Sequence, residues 1–305
     1  MRVCAIDIGT NTVQSVVADV TAAGLVVVAD EERFARLGQG VDASKRLAPE
    51  AIERALVALR AAAETGARLG AERTVIGATS ASRDAANVDE LADRVRDELG
   101  LDYRVLSGET EAALSFRGAV ARWVGGPSGP VVVVDVGGGS TEVALGTRAA
   151  GVTSRTSLDV GSVRLTERHF AVRPPPAEAV AAARADVLRA VASVAPAVAA
   201  AVAAGAPVVA TGSVARLLAH VAGFDTAEGT PAPHVPVAVV AEWSDRLLGL
   251  TPAEALAIDP ASFAGREDLV ATSVLILRTV LGALGAPAYV VTRGGLRHGL
   301  ALDAA

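Results

Sequence analysis

The chemically richest run in this sequence is Asp135-Val136-Gly137-Gly138-Gly139-Ser140-Thr141-Glu142. Consecutive glycines let backbone N–H groups approach an anion without interference from Cβ atoms. Asp135 and Glu142 flank them, and two carboxylates would repel that anion unless a hard cation such as Mg²⁺ lies between them. A tight hairpin needing glycine for its backbone is the plainer reading of one such loop taken alone. A second loop shifts the balance. Ala5-Ile6-Asp7-Ile8-Gly9-Thr10-Asn11-Thr12 has the same order of apolar run, Asp-x-Gly and small polar residues, with Asp7 and Asp135 128 positions apart (135 − 7). That offset is domain-sized, so the chain reads as a repeat. Gly9, Thr10, Asn11 and Thr12 join Gly137, Gly138, Gly139 and Ser140 as candidate phosphate-binding residues, and Asp7 joins Asp135 and Glu142 as a candidate metal ligand.

Three further loops stand where an apolar run gives way to a helical pattern. In Ala78–Ala85, Thr79, Ser80 and Ser82 suit helix capping, and Arg83 offers a two-pronged fork to phosphate. A capped helix with a surface Arg83–Asp84 pair is the plainer alternative. In Ser107-Gly108-Glu109-Thr110-Glu111 the acidic first turn complements a helix dipole. It would equally place a carboxylate to orient and deprotonate water beside a phosphate. Ala210-Thr211-Gly212-Ser213 puts Gly212 and Ser213 at another helix N-terminus, suited to anion contact. The four histidines, His169, His220, His234 and His298, show no ligand spacing. Cys4, inside the first apolar run, reads as a small core hydrophobe.

These loops need rigid elements behind them. The chain of 305 residues is 51% hydrophobic but only 3% aromatic, so Ala, Val and Leu must fill the core, as in interleaved helices and parallel strands. Strands are predicted at Val3–Asp7, Val13–Val20, Leu25–Glu31, Thr74–Ala78, Tyr103–Leu106, Val131–Val134, Glu142–Leu145, Val208–Ala210 and Ala288–Val291. Helices are predicted from Pro49, over Asp89–Leu99, Glu109–Val124, Ser162–Phe170, Ala177–Ala204, Ser213–Ala222, Glu242–Leu248, Pro252–Ala257 and Asp268–Leu284, and at the C-terminus. The Gly125–Pro130 stretch is the best linker. It divides an N-terminal domain, 1–124, from a C-terminal domain, 125–305, with the terminal helix free to pack back across the boundary. The expected fold class is α/β, two similar halves flanking a central cleft.

A net charge of −6 (28 basic against 34 acidic residues) supplies no global field for nucleic acid. A single cysteine excludes an internal disulfide and a thiolate cluster, which fits a reducing cytoplasm. Asp7 interrupts the first apolar stretch, so no export signal is expected. The uncharged Ala190–Ala215 segment is alanine-dominated and broken by Pro196, Gly205 and Pro207, so no membrane span is expected there either.

The blocks Ala5–Thr12, Ala78–Asn87, Ser107–Ala112, Asp135–Glu142, Ser157–Glu167, Ala210–Ser213 and Gly294–Leu300 together resemble the exopolyphosphatase/guanosine pentaphosphatase (Ppx/GppA) phosphatases. These belong to the actin/sugar-kinase/heat-shock ATPase fold group. The resemblance implies two ribonuclease-H-like domains, Mg²⁺ dependence, a link to the stringent response, and release of terminal phosphate from polyphosphate or guanosine pentaphosphate. It implies that Glu111 is the catalytic glutamate and that Arg83 neutralises charge on the transferred phosphoryl group. Asp135 and Glu142 would handle Mg²⁺. Thr110, Ala113 and Ser213 depart from the family pattern, where glutamate, arginine and threonine are usual. The two-domain length suggests a preference for short polyphosphates, and a homodimer is compatible with the pattern. Two other readings of these residues are an ATP-dependent kinase of the same fold group and a regulatory protein that binds the nucleotide alarmone or polyphosphate.

Overall fold

A computed structural model describes residues 1–227 and 230–305, which fall into two compact units, Met1–Arg122 with Gly294–Ala305, and Trp123–Arg293. The divide comes two residues before the expected linker, and the terminal segment belongs to the first unit.

In the first unit β1 (Arg2–Ile8), β2 (Thr12–Thr21) and β3 (Gly24–Phe34) form an antiparallel meander. There follow α1 (Val41–Ser44), α2 (Pro49–Arg68), β4 (Arg73–Ala78), α3 (Ser80–Asp84), α4 (Val88–Leu99), β5 (Tyr103–Val105) and α5 (Gly108–Ala121). The sheet order is β3-β2-β1-β4-β5, with β4 parallel to β1 and β5 parallel to β4. β1 alternates with period two. Cys4, Ile6 and Ile8 pack with Ile52, Leu56 and Leu59 of α2 on one face. Val3 and Ala5 pack on the other with Leu106 and Leu114 and with Leu296, Leu300 and Ala301 of the terminal segment.

The second unit repeats this plan. It runs β6 (Val131–Val136), β7 (Thr141–Thr147), β8 (Gly151–Leu158), α6 (Ser162–His169), α7 (Ala177–Val191), α8 (Pro196–Ala203), β9 (Val208–Thr211) and α9 (Gly212–Val221). It continues β10 (His234–Pro236), α10 (Val237–Leu248), α11 (Pro252–Ile258), α12 (Pro260–Phe263), α13 (Val270–Ala283) and β11 (Ala288–Val291); the chain then ends in α14 (Leu296–Ala304) of the first unit. The order β10-β11-β9-β6-β7-β8 is the first sheet's order read from the other end, with antiparallel β10 added at the edge. This meander of three followed by two parallel strands is the ribonuclease-H-like arrangement, present once in each unit. Val131–Val134 of β6 are all buried, as a strand covered on both faces requires.

Three expectations need correction. Helix Ala177–Ala204 is two helices meeting at 97°, because Pro196 opens a new helix at its first position. No single helix among the described residues is long and apolar enough to cross a membrane. The sequence pattern predicts no strand at β8, whose GVTSRTSL sequence is half-exposed edge and carries little apolar signal. Helix α10 begins at Val237, five residues before the expected start, capped by Pro236 rather than by a polar side chain.

The α14–α5 contact is unusually close. A Cβ on Gly118 would stand 2.1 Å from the Gly295 carbonyl oxygen, and one on Gly299 would stand 2.0 Å from that of Leu114. The Gly294–Leu300 motif thus braces the helix that carries Glu111.

Candidate active site

The two Asp-x-Gly loops close in the same way. Gly9 N–H donates to the Thr12 carbonyl at 2.8 Å, and Gly137 N–H donates to the Ser140 carbonyl at 2.9 Å. The 128-residue offset therefore holds at the level of individual hydrogen bonds.

In the first loop, the Thr10 carbonyl accepts from Gly38 N–H and the Asn11 carbonyl from Ala35 and Arg36 N–H. Gly38 is needed there, since a Cβ would fall 2.1 Å from Thr10 Cγ2. With its carbonyls tied back, the loop leaves Thr10 Oγ1 and Asn11 Oδ1 buried and without a hydrogen-bond partner among the described residues. Orphaned buried polar atoms cost free energy unless a ligand meets them. The second loop is held by the start of α6. Ser162, Val163 and Arg164 N–H donate to the carbonyls of Gly137 and Gly138, and Arg164 Nε donates to that of Gly139 at 2.8 Å. Gly161 makes this possible, because a Cβ would lie 2.4 Å from the Gly138 oxygen. With those carbonyls engaged, Gly138 and Gly139 have no hydrogen bond from their N–H groups among the described residues. That leaves two donors for an anion.

Asp135 and Glu142 are direct partners across β6 and β7. Directly opposed residues of an antiparallel pair project from the same face. The row extends to Ser157 on β8, whose hydroxyl donates to Glu142 Oε1 at 2.7 Å, and to Thr211 on β9, in register with Asp135. Glu142 is 2% exposed. Two carboxylates facing each other on a partly buried row suit a hard cation. No three Asp, Glu, His or Cys side chains cluster as ligands among the described residues, so the row offers no complete protein cage. Mg²⁺ needs none, since it takes one or two carboxylates and completes its shell with water and phosphate oxygens. Asp7 lies in the first unit, opposite Gln14 of β2.

Behind the row, Gly212 has φ +81°, a left-handed conformation, and a Cβ there would lie 2.9 Å from Asp135 Oδ1. It lets the chain turn from β9 into α9 and presents Ser213 in the first turn. The Thr211 hydroxyl is buried and has no hydrogen-bond partner among the described residues.

Arg83 and Glu111, 28 positions apart, meet in the first unit. Arg83 Nη1 donates to Glu111 Oε2 at 2.6 Å and to the Leu106 carbonyl at 3.0 Å. The Glu111 side chain is 10% exposed and that of Arg83 21%. Ser107 caps α5 by accepting from Thr110 N–H, fixing the first turn from which Glu111 projects. The capping role expected of Thr79, Ser80 and Ser82 is corrected: α3 has no side-chain cap. Thr79 instead donates to the Ile8 carbonyl, and Ser82 bonds the Tyr103 phenol at 2.7 Å. Burial raises that phenol above its ordinary pKa. The sequence also gave no role to Gly38, Gly161 or Arg164. The last two lie in the Ser157–Glu167 block, where only knowledge of the turn would have marked them as braces.

The Ppx/GppA phosphatase family model matches residues 16–305. The chain belongs to the Ppx/GppA phosphatase family. Exopolyphosphatase 2 of Mycobacterium tuberculosis is 37% identical, over all of this chain and 98% of that protein. The crystal structure of an exopolyphosphatase-like protein superposes with a TM-score of 0.88 at 30% identity, covering 100% of this chain and 98% of that one. The Aquifex aeolicus Ppx/GppA family member superposes with a TM-score of 0.77 at 26% identity, covering 100% and 97%. Membership of the Ppx/GppA family fits a chain that pairs half-buried Arg83 with buried Glu111 and carries two glycine-centred loops.

Proposed function

We propose that the chain is a Mg²⁺-dependent phosphoanhydride hydrolase that releases terminal phosphate from inorganic polyphosphate or guanosine pentaphosphate. The observation that carries this reading is the largely buried Arg83–Glu111 pair at the N-terminus of α5. An ionised carboxylate is an acceptor with about four lone-pair positions, so Glu111 can hold a water while bonded to Arg83. Glu111 orients that water toward the terminal phosphorus and takes its proton as the new P–O bond forms. The bond to the bridging oxygen breaks, and the shortened chain leaves with its charge. Arg83 offsets charge on the equatorial oxygens of the transferred group. The N–H groups of Gly138 and Gly139 and the hydroxyls of Thr10 and Ser213 bind non-reacting phosphate oxygens. Mg²⁺, held by Asp135 and Glu142, would supply charge neutralisation for the phosphates. Phosphoryl transfer depends mainly on positioning and electrostatics, which this small set supplies.

The test is phosphate release from polyphosphate and from guanosine pentaphosphate by the wild type and Glu111→Gln. Loss of a positioned general base costs about 10²–10⁴ in rate. Near-normal turnover of Glu111→Gln would remove Glu111 from this role, and release of no phosphate by the wild type would end the reading.

A further inference from the structure

A cavity of about 360 Å³ in the second unit opens beside Ser213. One stripe of α9 lines it: Ser213, Arg216, Leu217 and His220 recur at the spacing that brings helical side chains to one face. Arg266, beyond α12, and Arg293, beyond β11, complete the cationic wall. Three guanidinium groups thus converge on one cavity, together with His220, whose Nε2 lies 3.4 Å from Asp259 Oδ2; no carboxylate is among the described residues that line it. Arg293 Nε and Nη2 both donate to the Thr226 carbonyl, at 3.1 and 2.6 Å. That acceptor is neutral, so the contact orients the guanidinium without cancelling its charge.

The cavity's position says what the charge is for. Ser213 follows β9 and Arg293 follows β11, adjacent parallel strands. Thr211 and Thr292, at the ends of those strands, carry buried hydroxyls without a hydrogen-bond partner among the described residues. Both strands end on the side where Asp135 lies near the end of β6, and ligands of α/β sheets bind beyond such carboxyl ends. The lining also discriminates. Among the described residues Leu217 and Ala261 are its only apolar members, and none of them is an aromatic ring that would offer a stacking face for a base.

We propose that this cavity is an oligophosphate subsite, holding inorganic phosphates remote from the reacting end and favouring an all-phosphate chain over a nucleotide. The proposal rests on the hydrolase reading for its place in turnover, but its binding test does not. Isothermal titration of the full chain with inorganic tripolyphosphate, without divalent cation, compares the wild type with Arg216→Gln, Arg293→Gln and Arg293→Lys. Each charge-removing variant is expected to raise Kd about tenfold or more, as loss of a charge-assisted bond does, and to flatten the salt dependence. Arg293→Lys is expected to keep most of the affinity. Arg293 also ties down the Thr226 carbonyl, so Arg216→Gln keeps the test independent of that loop. Absence of tripolyphosphate binding by the wild type, or Kd within twofold of wild type in both Gln variants, would overturn the subsite. So would tighter binding of GTP than of tripolyphosphate in an Arg216-dependent manner. Parallel phosphate-release assays separate the two readings. Intact hydrolysis with unchanged binding in the variants sinks the subsite alone. Arginine-dependent binding without hydrolysis by the wild type sinks the hydrolase reading alone.

Discussion

Adding one methyl group at Gly118 tests whether the terminal helix braces the proposed water-orienting helix. The new Cβ would lie 2.1 Å from the Gly295 carbonyl oxygen and 2.8 Å from Gly299 N, where ordinary contact begins near 3.4 Å. The shortfall to the oxygen is 1.3 Å (3.4 − 2.1), and both opposing atoms are backbone, so no side chain can rotate away. Helix α14 must shift by about 1 Å, loosening the packing of Leu296, Leu300 and Ala301, all at most 5% exposed. Overpacking of this kind costs about 1–3 kcal/mol, against which Gly→Ala in a helix returns up to about 1 kcal/mol. A net loss near 2 kcal/mol, or a Tm lower by about 4–8 °C, is expected by calorimetry. Gly282→Ala is the control: that α13 glycine has no atom within 4 Å of its would-be Cβ. Its stability is expected to rise by about 0.5–1 kcal/mol. Glu111 lies seven residues, two turns, before Gly118 on α5. In Gly118→Ala, phosphate release is therefore expected to lose kcat with little change in KM, while Gly282→Ala keeps both. Equal stability of Gly118→Ala and wild type, or the same sign of effect in the two variants, would refute the bracing argument.

Arg83→Leu leaves the buried Glu111 carboxylate without its guanidinium and is expected to destabilise the fold by about 3 kcal/mol, measured by urea unfolding. Arg83→Lys restores most of that stability but not turnover, because the charge returns without the fork; equal turnover in Lys and wild type would count against a positioning role. Glu142→Gln removes one of two facing carboxylates at constant shape. The Mg²⁺ concentration for half-maximal phosphate release is expected to rise about tenfold or more, and an unchanged Mg²⁺ titration would remove Glu142 from metal binding. Burial pushes the Cys4 thiol up to about 11. The stability that the neutral thiol lends is present below about pH 9 and is lost as pH rises toward 11. At pH 8 a thiol reagent is expected to label Cys4 only after unfolding; rapid labelling of native protein would contradict its burial.

What the sequence disclosed and what it hid follow from the range of the interactions. Each phosphate-type loop is a local device of about eight residues, so Asp7–Thr12 and Asp135–Glu142 were legible from residue types alone, and their common offset announced a duplicated sheet. The Arg83–Glu111 bond joins the ends of two different strand-to-helix connections, and only the pairing of β4 with β5 brings them together. Nothing local distinguishes that Arg83 from one paired on the surface with Asp84. Gly118 is equally silent in sequence, because a glycine kept for helix–helix approach reads as a weak point in a helix until the opposing backbone is known. The arginines of the Ser213 cavity, at 216, 266 and 293, come from three elements that only the fold collects.

The repeat also shows where its two halves part in chemistry. Adding 128 to Gln14 gives Glu142, so the position opposite the loop aspartate is an amide in one unit and a carboxylate in the other. In the first unit that amide is occupied by protein: Gln14 Nε2 donates to Glu32, and Gln14 Oε1 accepts from Arg297, which also clamps Asp30 through two bonds of 2.8 Å. The corresponding row of the second unit keeps two acids face to face, with a serine hydroxyl on one side and, on the other, a threonine hydroxyl without a hydrogen-bond partner among the described residues. Like charges held opposite each other on a sheet cost stability, so a pair of this kind persists in a fold only where something else compensates it. Beside Gln14 the positive charge comes from Arg297; beside Glu142 the proposed Mg²⁺ would add it. Duplication thus set the same backbone turn twice, and the side chains around each turn diverged: an amide clamped by Arg297 in the first unit, and two facing carboxylates in the second.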